Sequence, residues 1–207
     1  MKERFRPRRP AQAGFTLVEI LICTVVTGLV ATAIHTAYLG GMRAYESQNN
    51  SVRMETYLRC ALDLMSRELK MAGFQEANPN AAITLATSSR LQFLAAGVPI
   101  IYNFNGVAVN RNFNGSSWWY PLANPMERTE FFYHLADGSQ TLTPTAAQQQ
   151  QITAVQITLL GRSERPETGF HSSAEYLTPG GQRWGPYGDS YRRLFRSTTV
   201  ACRNLQP

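Results

Sequence analysis

The sequence lacks the residue constellations on which most enzyme chemistry rests. His35, His134 and His171 stand far apart with no metal-ligand spacing, and there is no Cys-x-x-Cys, His-Glu-x-x-His, Gly-x-Ser-x-Gly or phosphate-loop pattern. Asp137-Gly138-Ser139 falls short of a calcium loop. The expectation is a protein that is not an enzyme, with no catalytic residue, no metal, no cofactor and no small-molecule substrate. No repeat at a solenoid period occurs either. Charge is missing from one long stretch. From residue 15 to residue 39 the only formally charged side chain is Glu19.

That stretch sets the organisation of the chain. A helix of about 25 residues, rising 1.5 Å per residue, is long enough to cross the roughly 30 Å hydrocarbon layer of a membrane. A purely anchoring segment has no use for Glu19, because an ionised acid well inside an apolar helix costs on the order of 2.5 to 3.5 kcal/mol and usually has a partner and a role. Ahead of it, Lys2, Arg4, Arg6, Arg8 and Arg9 face a single acid, Glu3. Basic flanks stay in the cytoplasm, which sends the rest of the chain across the inner membrane.

Two processing readings follow. An ordinary secretory signal would be cut near Ala31-Thr32-Ala33, but apolar cores of such signals run about 7 to 15 residues, and this one is longer and carries an acid. The other reading cuts before the apolar helix. Gly14-Phe15-Thr16-Leu17-Val18-Glu19, between a short basic leader and a long apolar helix, closely resembles the N-terminal signal of type IV pilins and type II secretion pseudopilins. The resemblance implies cleavage by prepilin peptidase between Gly14 and Phe15, N-methylation of Phe15, and an assembly role for Glu19. Cleavage creates a cationic amine four residues before an acid, in surroundings where unpaired charge is expensive. Between staggered helices such a pair sets axial register. Removing the leader takes away five of the 20 bases and one of the 14 acids, leaving 15 bases against 13 acids, so the formal charge falls from +6 to +2. The high isoelectric point belongs largely to the leader and gives little reason to expect nucleic acid as a partner.

Past residue 39 the pattern becomes amphipathic without a strong break. Met54, Leu58, Ala61, Met65, Leu69 and Ala72 recur at spacings of three and four, one face of a helix, with Arg53, Glu55, Arg59, Asp63, Arg67, Glu68 and Lys70 between them. One near-continuous helix is predicted from about residue 15 to about residue 71, weakest at Gly28 and Gly40-Gly41, with Gly73 suited to the cap. Strands are predicted at 90–95, 99–104, 107–113, 129–135, 152–159 and 194–202, with a two-residue turn at Asn105-Gly106 and another at Asn114-Gly115. The strand at 152–159 is expected to be central, with its apolar side on the helix. Gln148 to Gln151 read as loop, and 178–189 as a long exposed loop. Trp118-Trp119-Tyr120 is either a carbohydrate- or surface-binding platform or, the preferred reading, core. Arg192, Arg193, Arg196 and Arg203 read as a solvated strand face rather than a DNA or phospholipid contact.

The order of elements resembles the pilin fold: an α+β protein with a long N-terminal helix, its first half transmembrane, packed on an antiparallel sheet. The expected divisions are a leader at 1–14, a membrane or filament-core helix at 15–39, its amphipathic continuation at 40–74 and a periplasmic sheet domain at 75–207. More narrowly, the helix end Leu64-Met65-Ser66-Arg67-Glu68-Leu69-Lys70-Met71-Ala72-Gly73-Phe74, the strand Val155-Gln156-Ile157-Thr158-Leu159 and the terminal Thr199-Val200-Ala201-Cys202-Arg203-Asn204 resemble PilW-like minor pilins and, next, their secretion counterparts, the GspJ-like pseudopilins. This resemblance implies a structural subunit of pilus assembly, at the inner membrane and then in the filament, whose partners are other pilin or pseudopilin subunits through the N-terminal helix, prepilin peptidase and the membrane. A membrane-anchored periplasmic binding module is the remaining alternative. Cys23 falls in the membrane helix. In an oxidising periplasm Cys60 and Cys202 are candidates for a disulfide, with two unpaired, buried thiols as the alternative.

Overall fold

A computed structural model describes residues 14–205. The basic leader up to Ala13 lies outside the described residues. Helix α1 runs unbroken from Leu17 to Leu69, through Gly28 and the Gly40-Gly41 pair. A Cβ at any of these three glycines would meet nothing within 4 Å, so no packing contact demands them. The chain divides into two compact units, the first ending at Glu46 and the second beginning at Ser47.

In the first unit the helix is apolar on all sides and exposed on all sides, from Leu17 and Val18 through Leu29 and Ile34 to Tyr38. Such a surface is stable only against lipid or other helices. It is the one helix among the described residues long and apolar enough to cross a membrane. Its threonine hydroxyls are satisfied internally. The hydroxyls of Thr24, Thr27, Thr32 and Thr36 each donate to the carbonyl three or four residues back, at 2.7 to 2.9 Å. A threonine in such a helix carries no unpaired donor into an apolar medium.

The second unit carries the hydrophobic core. The predicted stripe Met54, Leu58, Ala61, Met65, Leu69 and Ala72 is buried throughout, with Leu62 beside it. After Leu69 the chain turns at Gly73, whose φ of +80° is the left-handed conformation expected of a helix cap, and its N–H donates to the carbonyl of Leu94. Five strands then form an antiparallel meander in chain order: β1 (Ile83–Ala86), β2 (Arg90–Ala95), β3 (Val98–Phe104), β4 (Val109–Phe113) and β5 (Tyr120–Ala123). A second antiparallel sheet has the order β11-β8-β6-β7, from β6 (Met126–Leu135), β7 (Gln140–Thr141), β8 (Ile152–Arg162) and β11 (Arg193–Ala201). As expected, the strand that begins at Ile152 is central, and Val155, Ile157 and Leu159 are buried. Leu58 of α1 lies directly over Gly161 of β8. Side chains of both sheets and of the helix share one core, including Leu91, Phe93 and Tyr102 from the first sheet and Phe131 and Tyr133 from the second.

Several expectations require correction. Asn105-Gly106 is not a two-residue hairpin: Phe104 pairs with Val109, so the connection has four residues, and Asn105 organises it by accepting from the N–H groups of Val107 and Ala108. Gln148 and Gln149 belong to a one-turn helix, α2 (Ala146–Gln149), in which Thr145 and Gln148 form a reciprocal capping box, while Gln150 and Gln151 turn out of it. The segment 178–189 is no loose loop. It contains part of a small hairpin, β9 (Tyr176–Leu177) with β10 (Arg183–Trp184), and both Thr178 and Trp184 are buried. Its turn is fastened to Glu130, a fully buried carboxylate that accepts from the Thr178 hydroxyl at 2.7 Å and the Gly180 N–H at 3.0 Å. Trp118, Trp119 and Tyr120 are not core: all three are exposed, because they lead into the edge strand β5 beyond the buried Ala123. Cys60 and Cys202 form no disulfide. Cys60 falls beside the buried stripe and faces solvent, whereas Cys202 is buried in the core, where desolvation pushes its thiol up to about 12.

Candidate assembly site at the helix N-terminus

The first turn of α1 brings together the residues singled out in the sequence. Phe15 is exposed, and Glu19 sits on the first turn of the helix. Thr16 is the residue before the helix, and its hydroxyl accepts from the Glu19 N–H at 3.2 Å. Glu19 answers with Oε2, which accepts from the Thr16 N–H at 3.2 Å and the Thr16 hydroxyl at 3.3 Å. Two otherwise orphaned helix donors are satisfied by one reciprocal motif. A carboxylate here also faces the positive end of the helix dipole. The pattern Thr-x-x-Glu ahead of an apolar run is the sequence signal that marks Thr16 as Glu19's partner.

The capping box uses only one carboxylate oxygen. Oε1 of Glu19 has no hydrogen-bond partner among the described residues, and no cation pairs with Glu19 there. The other helix carboxylates that reach the sheets behave differently. Glu55 pairs with Arg196 at 2.6 Å and with Arg59 at 3.3 Å, and the hydrogen bond from Arg196 holds its carboxyl below the usual range. Glu68 receives Arg111 at 2.5 and 2.9 Å and the Tyr102 hydroxyl, which fastens the helix to β3 and β4.

Of the arginines near the C-terminus, Arg196 and Arg203 are exposed, as a solvated strand face requires, whereas Arg193 is buried and corrects that reading. The Arg193 guanidinium is almost wholly buried, pairing with Glu127 at 2.9 Å and Asp189 at 2.7 Å and lying 3.7 Å over the ring of Tyr187. Its hydrogen bonds pull the Asp189 carboxyl down to about 2. Arg192 pairs with Glu167 and lies over Phe170, and Arg196 is held by Glu55. Charges spent on internal partners are not offered to a phosphate backbone. Arg203 alone of the four is exposed without a salt bridge among the described residues. His35, His134 and His171 remain apart, and no group of three metal-binding side chains occurs among the described residues.

Comparison with known proteins agrees at both ends of the chain. Residues 109–204 match the family described as Type IV Pilus-assembly protein W, and residues 9–34 match the prokaryotic N-terminal methylation motif. The fold is shared with a type IV-like pilin from Thermus thermophilus at a TM-score of 0.59 and 18% identity, over 75% of this chain and 98% of that one. No curated protein sequence matches the chain. A methylation-type N-terminus, a pilin fold and a PilW domain in one polypeptide support a type IV pilin, a PilW-like minor pilin involved in pilus assembly.

Proposed function

We propose that the chain is matured by prepilin peptidase between Gly14 and Phe15, that Phe15 is then N-methylated, and that Glu19 sets the height at which the subunit joins its neighbours. The observation that carries this reading is the half-used carboxylate: Oε2 of Glu19 is engaged by Thr16 of its own chain, while Oε1 has no partner among the described residues. Cleavage turns the Phe15 amide into an α-amine, whose ordinary pKa near 8 leaves it largely cationic at neutral pH. A neighbouring subunit's amine at the level of Oε1 then neutralises the acid inside an apolar bundle. At any other height both charges stand unpaired, at a cost of several kcal/mol.

In this reading the leader's bases stay in the cytoplasm and the second unit lies in the periplasm until the subunit enters the filament. The membrane and the helices of other pilins are successive environments for the same exposed apolar surface. Mass spectrometry of the mature N-terminus is the first test. A chain beginning at Phe15 and one methyl group heavier is expected; an intact Met1, or a start near Ile34, overturns the reading. Glu19→Ala is expected to leave the protein inserted and folded but to reduce its recovery in sheared filaments. Normal recovery refutes the register role.

A further inference from the structure

Each of the two larger sheets of the second unit has two edges, and three of these four edges are blunted. β1 has four residues and a register shift, β5 has four residues with Pro121 among them and a register shift, and β7 has two residues. Short length, proline and irregular register are the devices by which proteins keep sheet edges from pairing with other chains. β11 has none of them. It is nine residues long, contains no proline, and pairs with β8 through nine consecutive positions without a shift. Charge does not guard it either, since Arg193 is buried and paired and Arg196 is paired with Glu55.

The ladder shows which backbone groups are free. The Cys202 N–H donates to the Thr153 carbonyl, and the Ser163 N–H donates to the Arg192 carbonyl, which fixes the alternation of the antiparallel pairing. Residues 194, 196, 198 and 200 face β8 with their backbone groups. Those of Phe195, Ser197, Thr199 and Ala201 point away from the sheet. Among the described residues the Phe195 carbonyl accepts from the Arg196 side chain, and the N–H and C=O groups of Ser197, Thr199 and Ala201 have no partner. Their side chains are small, uncharged and exposed.

We propose that the open edge of β11 is an assembly surface that pairs, backbone to backbone, with an extended strand of a neighbouring pilin subunit. The proposal rests on the chain's place in pilus assembly. The edge is also continuous with the element that assembles pilins: a groove beside it is lined by Glu55, Arg59, Asp63 and Ser66 of α1 together with Arg196 and Thr198 of β11. Arg196 and Glu55 cancel each other there, so the strand that fits is uncharged and rich in hydroxyl or β-branched side chains. Main-chain hydrogen bonds supply the attraction, and the small side chains let the incoming backbone approach.

Thr199→Pro tests this in the full-length chain, expressed in cells that make filaments. It removes an N–H that points away from β8 and places a ring where the partner strand would lie, while the β8 ladder is untouched. The expected result is a folded, membrane-inserted subunit whose recovery in sheared filaments falls about tenfold, with Thr199→Val recovered like the wild type. Recovery of Thr199→Pro at the wild-type level overturns the proposal, and so does a loss with Thr199→Val, which would mean side-chain docking. Absence of the wild-type chain itself from the filaments would overturn the assembly reading, and this proposal with it. Should Thr199→Pro fail to fold, hydrogen exchange of the wild type decides. The Ser197, Thr199 and Ala201 amides are expected to exchange quickly in the detergent-solubilised subunit and slowly in filaments, and fast exchange in both overturns the pairing.

Discussion

The contact between Leu58 and Gly161 offers a test of how α1 is seated on the second sheet. Leu58 is 1% exposed, and a Cβ built on Gly161 would lie 3.1 Å from its Cδ1 and 3.3 Å from its Cδ2 and Cγ. Leu58→Ala removes three buried carbons, about 2.4 kcal/mol at ~0.8 kcal/mol each, and the void they leave brings the loss to about 3 to 4 kcal/mol. Gly161→Ala alone crowds a filled site and costs about 1 kcal/mol. In the double variant the added methyl group occupies part of the void. The pair is then expected to lose only about 2 to 3 kcal/mol, a favourable coupling of about 2 kcal/mol. The fragment from Ser47 retains the entire core, which is drawn from residues between Leu58 and Leu205, so urea and thermal unfolding of that fragment followed by circular dichroism are suitable assays. Leu58→Ala should lower its melting temperature by about 6 to 16 °C, at ~2 to 4 °C per kcal/mol for a domain of this size. Strictly additive losses would refute the seating of the helix over β8.

Other expectations use the same fragment. The Asp189 carboxyl is held below its ordinary value of 3.8, at about 2, chiefly by the hydrogen bonds from Arg193. Its folded pKa is depressed, so its stabilisation is present above pH 3.8 and lost as the pH falls towards 2; Asp189→Asn should flatten the acid limb of the stability profile in that window, and an unchanged limb would refute the assignment. A thiol reagent should label Cys60 in the native protein and Cys202 only on unfolding, and a mass unchanged by reductant should confirm that the two are not bridged. Trp184→Ala should cost about 3 to 5 kcal/mol because it empties a buried site, whereas Trp118→Ala, at an exposed position, should stay within ~0.5 kcal/mol of wild type; equal effects in urea titration would contradict the burial of these rings.

What the sequence disclosed was periodicity. The stripe from Met54 to Ala72 could be read because a helix buried on one face repeats its apolar positions every three or four residues. β2 shows the strand equivalent, with Leu91, Phe93 and Ala95 buried and the residues between them half-buried. The failures lie where a distant partner decides the outcome. The segment 178–189 has the composition of a loose loop, but its turn is held by Glu130, nearly fifty residues earlier in the chain, and nothing local announces that. Trp118 to Tyr120 look like core by residue type, yet sheet order places them at an edge, and order is not written in composition. The paired arginines belong to the same class, since Arg193 finds Glu127 across 66 positions. Cys60 is different. It falls one position off the buried stripe, and the periodicity that located Ala61 already implied that Cys60 faces away.

The same contrast bears on Glu19. On α1, Glu55 and Glu68 each reach an arginine supplied by the sheets, because the second unit folds back and brings guanidinium groups to the helix. Glu19 lies in the first unit, where every other polar side chain from Thr24 to Thr36 that donates a hydrogen bond does so within its own helix. The described chain brings no cation to it. An acid in an apolar helix without an internal counter-charge is costly wherever the helix resides, in lipid or among other helices. Selection for stability alone would favour an apolar side chain at that position, and on the proposed reading the acid is kept for a cation supplied from outside the folded subunit. The α-amine created at Phe15 is a cation that every matured pilin subunit would carry, and it appears only after cleavage. Glu19→Gln separates charge from shape: it preserves a side-chain oxygen for the Thr16 capping bonds but cannot neutralise an amine. If the charge is what matters, Glu19→Gln should enter filaments as poorly as Glu19→Ala; recovery at the wild-type level would assign Glu19 to the cap alone.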